Sequence, residues 1–195
     1  MKAYKTEATV LFCDIRNFTN LLEARDSIDA VEFANSVLAV LGEEVENNEG
    51  VHGRFTGDGF LAHFGAFTEL ENHALAACNS AIAMRTCLQD INKRRYLQVE
   101  SVINTGIAIH TGTIAVGEIT SGRTTQQTVL GDVVNTSARL EELTKKHLRW
   151  MCWFQIPHMK RYGTDTNFKK MPLKKLRGKQ QRIQSWWLLP VNGLE

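Results

Sequence analysis

The sequence predicts an α+β fold: a ferredoxin-like β-α-β-β-α-β core with extra C-terminal strands, an antiparallel-rich sheet and helices on one face. Three observations carry this. Short apolar runs rich in β-formers alternate with long stretches of helical periodicity. Turn sequences join neighbouring strand runs tightly, which precludes an all-parallel sheet. A chain of 195 residues, 43% hydrophobic and 23% charged, suits one domain over 1–195 with a full core of its own.

The elements follow in order. Residues 8–15 (ATVLFCDI) form a short apolar run that reads as a buried strand ending in an aspartate. Asp26-Ser27 offers an N-cap for a helix over 28–46, where Ile28, Val31, Val37, Leu38, Leu41 and Val45 recur at helical spacing. Strand runs 51–55 and 60–64 flank Thr56-Gly57-Asp58-Gly59, a hairpin signal. A second long helix is predicted over 69–91. Runs 99–109 and 114–119 flank His110-Thr111-Gly112-Thr113, read as a second hairpin, and 128–130 is a short strand. A third helix over 132–146 begins with an acid and ends in lysines, as the helix dipole favours. Two strands, 150–156 and 182–189, close the chain around a polar, basic loop.

Several function classes fall away. The four cysteines are scattered and form no CxxC pair, which argues against a zinc site or a disulfide framework. The N-terminus lacks the apolar stretch of a signal peptide, and no window approaches the about 18 apolar residues of a membrane span. The expectation is a soluble, cytoplasmic protein. The net charge of +2 is uneven: residues 145–182 hold 12 of the 23 Lys and Arg and one acid, Asp165. Such a segment suits nucleic acid, a membrane surface or a polyphosphate, or is a solvated lysine-rich loop.

Asp14 ends the first strand, and Asp58 tips the first hairpin. In a ferredoxin-like core these are adjacent strand ends, where two carboxylates can share hard divalent ions that bridge to phosphates. Asp58 in Gly-Asp-Gly also suits an ordinary turn, whereas Asp14, closing an apolar strand, needs a partner or a metal. The turn Arg16-Asn17-Phe18-Thr19 can aim backbone N–H groups at an anion. Asp132, Asn135 and Arg139 share one face of the third helix; Arg139 suits a phosphate, or an ion pair with a nearby glutamate.

Together, residues 10–19 (VLFCDIRNFT), 54–65 (RFTGDGFLAHFG), 106–112 (GIAIHTG) and 129–141 (VLGDVVNTSARLE) resemble the class III nucleotidyl cyclase catalytic domain, in family order, over about residues 6–189. The resemblance implies conversion of a nucleoside triphosphate into a 3′,5′-cyclic monophosphate and pyrophosphate, with two divalent ions, Mn²⁺ or Mg²⁺, at each site. It implies that Asp14 and Asp58 bind the metals with the Ile15 carbonyl, and that Phe18 and Thr19 cradle phosphates through their amides. It places Asn135 at the ribose and Arg139 at the α-phosphate. Arg177, in Leu176-Arg177-Gly178-Lys179, takes the place of a phosphate-binding lysine. That gives the basic segment a phosphate role in place of nucleic acid. Because the family's sites lie between two catalytic domains, one domain carrying both residue sets implies a head-to-tail homodimer with shared sites.

The base selectors depart from the common patterns. Adenylate cyclases usually carry Lys, and guanylate cyclases Glu, where this chain has Arg54; Thr128, the second selector, fits an adenylate cyclase. A guanidinium only donates, so guanine lacks its acceptor. Adenine N1 or uracil O4 can accept from Arg54, with Thr128 accepting from the adenine amino group or uracil N3–H. His52 and Phe55 lie close by in sequence, and a tight pocket would favour a one-ring base. A short cyclase with Arg at the selector resembles the pyrimidine cyclases of bacterial antiphage signalling, so UTP is the expected substrate and cUMP the product. An adenylate cyclase making cAMP is the alternative. An inactive nucleotide-binding dimerisation module and a basic nucleic-acid binder are the other classes.

Overall fold

The computed structural model describes residues 2–23, 26–145, 151–155, 168–176 and 182–188. Strand β1 (Tyr4–Ile15) leads into a one-turn helix α1 (Phe18–Leu22) and the long α2 (Ser27–Glu46). The hairpin β2 (Val51–Phe55) and β3 (Gly59–Phe64), helix α3 (His73–Leu97), strands β4 (Thr105–Ser121) and β5 (Thr124–Leu130), and α4 (Asp132–Thr144) follow. Strands β6 (Met151–Gln155), β7 (Phe168–Lys170), β8 (Lys174–Lys175), β9 (Arg182–Ile183) and β10 (Trp186–Leu188) complete the described chain. The main sheet runs β2-β3-β1-β4-β6-β10-β7, with β5 also paired to β4. Among the described residues, the β4–β6 pairing is the one parallel pairing in this sheet. The α+β class and the ferredoxin-like core stand as predicted. No helix among the described residues is long and apolar enough to cross a membrane.

Side-chain alternation along the strands divides the core into two faces. Leu11, Cys13 and Ile15 of β1, Phe60, Ala62 and Phe64 of β3, and Ile107 and Ile109 of β4 pack against α2 and α3. Val10, Leu61, Ile114, Val116 and Val129 face the other way and meet Val133 of α4, while Ala108 meets Leu140. The helices therefore do not all share one face: α2 and α3 cover one, and α4 crosses the other. Strands β1 and β4 are apolar on both faces, so both need cover.

Three local readings are corrected. Residues 110–113 form no hairpin; they run straight through the 17-residue β4, paired with Val10, Thr9, Ala8 and Glu7. Thr111 Oγ1 lies 2.7 Å from Thr9 Oγ1 across the ladder. Gly112 is a packing glycine, because a Cβ there would press on the Val133 side chain at 2.9 Å. The true reversal is at Gly122-Arg123, between β4 and β5. Residues 99–104 are not strand; Val99 sits at φ 60 and is 95% exposed. Helix α3 runs from His73 to Leu97 in place of 69–91. Its last turns lack an apolar stripe and are fixed by Asn92, which bonds both the N–H and C=O of Ile103 at 2.7 Å. The helix over 27–46 starts as read, with Asp26 accepting from Ile28 and Asp29 N–H groups.

Candidate active site

Strand β1 lies between β3 and β4, so Asp14 at its end stands in register with Gly59 on one side and Gly106 on the other. A side chain at either position would force its surroundings to move. A Cβ on Gly59 would collide with the Cys13 carbonyl, and one on Gly106 with the Arg16 guanidinium. The Asp58 turn is drawn onto β1 by the Ile15 N–H, which donates to the Asp58 carbonyl at 2.8 Å, and is closed by Thr56 N–H to Gly59 O at 2.9 Å. Asp14 and Asp58 are thereby neighbours, as the sequence predicts.

The electrostatics centre on Asp14. It is 7% exposed. Burial first, then the charges of Glu141 and Asp58, push its carboxyl up to about 7, against the pull of Lys145 and Arg16. Arg16 Nη1 meets Asp14 Oδ2 at 2.9 Å and pairs with the Glu141 carboxylate, and the Lys145 ammonium stands 3.8 Å from Asp14. Glu141, from the sheet-facing side of α4, is also raised, burial outweighing the Arg16 pairing. Sequence reasoning missed this Arg16–Glu141 connection. The available signal was an acid flanked by Leu140 and Thr144 on a buried helix face, where a charge needs a partner.

Asn17 turns the chain from β1 into α1 with left-handed backbone (φ 53, ψ 34), a conformation Asn tolerates better than most residues. Phe18 packs onto the core and Thr19 is exposed. Their N–H groups open α1, where backbone donors have no helical partner.

The remaining candidates lie elsewhere on the sheet. Arg54 on β2 is exposed and pairs in register with Leu61, on the α4 face. Phe55 pairs with Phe60, on the α2/α3 face, and His52 stacks on Phe55 at 5.4 Å and meets Phe60 edge-on at 5.2 Å. A register shift between His52 and Arg54 separates the two sets. Those rings therefore do not narrow a pocket around Arg54, contrary to the sequence expectation. Thr128 on β5 pairs with Gly117. Asp14 pairs with Gly106 of the same β4 strand, eleven residues away, or about 36 Å of strand. On α4, Asn135 is exposed and Arg139 half-buried. Arg177 lies outside the described residues.

Among the described residues, no group of three or more His, Cys, Asp or Glu side chains is placed to hold a metal ion. The local donors are two carboxylates and backbone carbonyls. That set suits a hard cation that completes its shell with substrate phosphates and water. Burial first, and then the charges of Glu141 and Asp58, disfavour the ionised Asp14 carboxylate, and added positive charge offsets both, so the residues fit such an ion.

The profile of the family described as the adenylate and guanylate cyclase catalytic domain matches residues 1–188. An adenylate cyclase of Anabaena cylindrica is 34% identical over 143 residues, covering 71% of this chain and 28% of that protein. Adenylate cyclase 1 of Rhizobium meliloti is 31% identical over 145 residues, covering 74% and 22%. The chain thus spans about a quarter of the length of these relatives. The crystal structure of the adenylyl cyclase CyaB from P. aeruginosa superposes with a TM-score of 0.88 at 20% identity, covering 98% of each chain.

Proposed function

The chain belongs to the adenylate and guanylate cyclase catalytic domain family, and we propose that it converts a nucleoside triphosphate, with UTP preferred, into its 3′,5′-cyclic monophosphate and pyrophosphate. The observation that carries this is the juxtaposition of Asp14 and Asp58, drawn together by the Ile15–Asp58 backbone bond at the end of β1. Two divalent cations, Mn²⁺ or Mg²⁺, held by these carboxylates and the Ile15 carbonyl, supply Lewis-acid charge to the triphosphate. Asn135 orients the ribose so that its 3′-oxygen lies in line with the α-phosphorus. As the O3′–P bond forms and the bond to pyrophosphate breaks, the 3′-hydroxyl proton passes to solvent water and the pyrophosphate leaves with the electron pair of the broken bond. Arg139 meets the charge growing on the α-phosphate. The backbone N–H groups of Phe18 and Thr19, with Arg177, hold the terminal phosphates.

The distance of Thr128 from Asp14 along β4 supports a site shared between two chains. Asp14 and Asp58 come from one protomer and Thr128, Asn135 and Arg139 from its partner, in a twofold homodimer. Hydrogen bonding disfavours guanine but admits uracil and adenine alike, since Arg54 donates to uracil O4 or adenine N1 and Thr128 accepts from N3–H or the adenine amino group. The preference for UTP over ATP rests on Arg at the selector position, as in the pyrimidine cyclases this chain resembles. The resemblance to pyrimidine cyclases of antiphage systems extends the proposal to a signalling role for cUMP. ATP is the second reading, favoured by the names of the sequence relatives and by Thr128. Incubating the protein with Mn²⁺ and each of ATP, GTP, CTP and UTP, with products read by mass spectrometry, tests both. cUMP as the main product is expected; cAMP as the main product installs the second reading; no cyclic product from any triphosphate refutes the proposal.

A further inference from the structure

Arg16 has no part in the reaction as proposed, yet it has two carboxylate partners. Its guanidinium reaches from the end of β1 to α4, over the bare backbone of Gly106. Nη1 donates to Asp14 Oδ2 at 2.9 Å and pairs with the Glu141 carboxylate, and Nη2 donates to the Glu141 carbonyl at 3.5 Å. Glu141 is only 2% exposed, and its carboxylate also accepts from Thr144 Oγ1 at 3.4 Å. Stability alone does not call for this arrangement, since an apolar pair of similar volume commonly serves as well as a buried ion pair. Its geometry is specific: Nη1 meets a carboxylate on each of two elements while Nη2 reaches the Glu141 carbonyl, a planar set of contacts that the single nitrogen of a lysine cannot reproduce.

We propose, resting on the cyclase reading above, that Arg16 is a positioning residue: anchored by Glu141, it fixes the Asp14 carboxylate for its cation and ties it to α4, the helix that carries Asn135 and Arg139. Glu141 keeps the guanidinium shared between two acids, so a cation arriving at Asp14 displaces only part of an ion pair. Without Glu141, Arg16 closes on Asp14 and competes with the cation. With Lys at position 16 the charge remains, but the second nitrogen that holds the Glu141 carbonyl is lost, and with it the fixed orientation of the connection between β1 and α4. In a shared-site dimer, Asp14 serves one site while α4 of the same chain serves the other, so this connection joins the two sites.

The test uses the whole chain and two conservative variants, Glu141→Gln and Arg16→Lys, each checked for a cooperative melt. Mn²⁺ binding is read without nucleotide from the free-ion EPR signal, and cyclase kinetics are measured separately. Glu141→Gln is expected to weaken Mn²⁺ binding at least about tenfold, because groups that orient a metal ligand typically contribute about 10–100-fold. Arg16→Lys is expected to lower kcat by about tenfold or more with KM little changed, since charge is kept and only the orientation of Asp14 is lost. Wild-type Mn²⁺ affinity in Glu141→Gln, or wild-type kcat in Arg16→Lys, overturns the inference. Asp14→Asn separates the two levels of the argument. If it leaves Mn²⁺ binding unchanged, the metal role of Asp14 fails. If it abolishes binding while the other two variants behave as wild type, only the positioning role fails.

Discussion

Gly106→Ala adds one methyl group where the Arg16 guanidinium lies, with Thr144 Oγ1 also in the way. Strand β4 is paired on both sides at this point, with Asp14 and with Met151, so the backbone cannot easily retreat. The guanidinium must move, and Glu141, 2% exposed, loses its cation. Breaking a buried pair by displacing one partner costs about 3–5 kcal/mol. For a domain of this size each kcal/mol lowers Tm by about 2–4 °C, so the expected loss is roughly 6–20 °C. Calorimetry of the wild type, Gly106→Ala, Glu141→Gln and the double variant measures it. The cost of Gly106→Ala should shrink in the Glu141→Gln background, where no buried charge is stranded. A Gly106→Ala protein melting within 2 °C of wild type, or a cost unchanged by Glu141→Gln, would refute the reasoning (2 °C being about the lower bound for 1 kcal/mol).

Further consequences are open to measurement. Asp14→Ala and Asp58→Ala should each abolish cyclic product while leaving a cooperative melt; product from either at the wild-type rate removes the two-carboxylate assignment. Arg54→Ala should cut kcat/KM for UTP about tenfold to a hundredfold through loss of a charge-assisted hydrogen bond worth about 1.5–3 kcal/mol, with Mn²⁺ affinity unchanged. An undiminished kcat/KM would take Arg54 out of base recognition. His63 is 2% exposed, Nδ1 has no hydrogen-bond partner among the described residues, and burial lowers its pKa from 6.5 to about 4. Its folded pKa lies below the unfolded one, so the stability it contributes is present above about pH 6.5 and is lost as pH falls towards 4. Asp14 and Glu141, whose carboxyls are raised in the folded chain, act in the opposite sense over this window, so the readout is a difference. Denaturant midpoints of the wild type should fall relative to those of His63→Phe as pH drops from about 6.5 to 4, and parallel curves would take His63 out of the acid response.

Much of this was legible in the sequence because it is local. The strand ending in Asp14, the Gly-Asp-Gly turn, the Asp26 cap and the face holding Asn135 and Arg139 each follow from spacing and residue type. What escaped was set by tertiary contact. Thr111-Gly112-Thr113 carries turn chemistry, but a glycine that makes room for Val133 looks the same in sequence as one that turns the chain. The last turns of α3 depend on Asn92 bonding to Ile103, and Asn92 by itself signals no helix. The α4 face of the sheet was hidden because β1 is apolar on both sides, and an unbroken apolar run does not say which helix covers which side. Phe55 and His52 looked like neighbours of Arg54, but Phe55 faces away by strand alternation and the register shift between His52 and Arg54 turns His52 to the same opposite face. Arg16 and Glu141 are 125 residues apart, and only the fold brings them together.

The central claim is that the paired carboxylates of one chain act with Asn135 and Arg139 of another. Mixing Asp58→Ala with Arg139→Ala tests it most directly. Each variant alone should be inactive, because both sites of its homodimer carry the lesion. After subunit exchange, half of the dimers are mixed, and each mixed dimer has one intact site and one doubly damaged one. An equal mixture should therefore recover about a quarter of the wild-type rate of cyclic nucleotide formation if the two sites of the twofold dimer turn over independently. No recovery, with subunit exchange demonstrated by mass spectrometry of tagged chains, would contradict the account and place each complete site within a single chain.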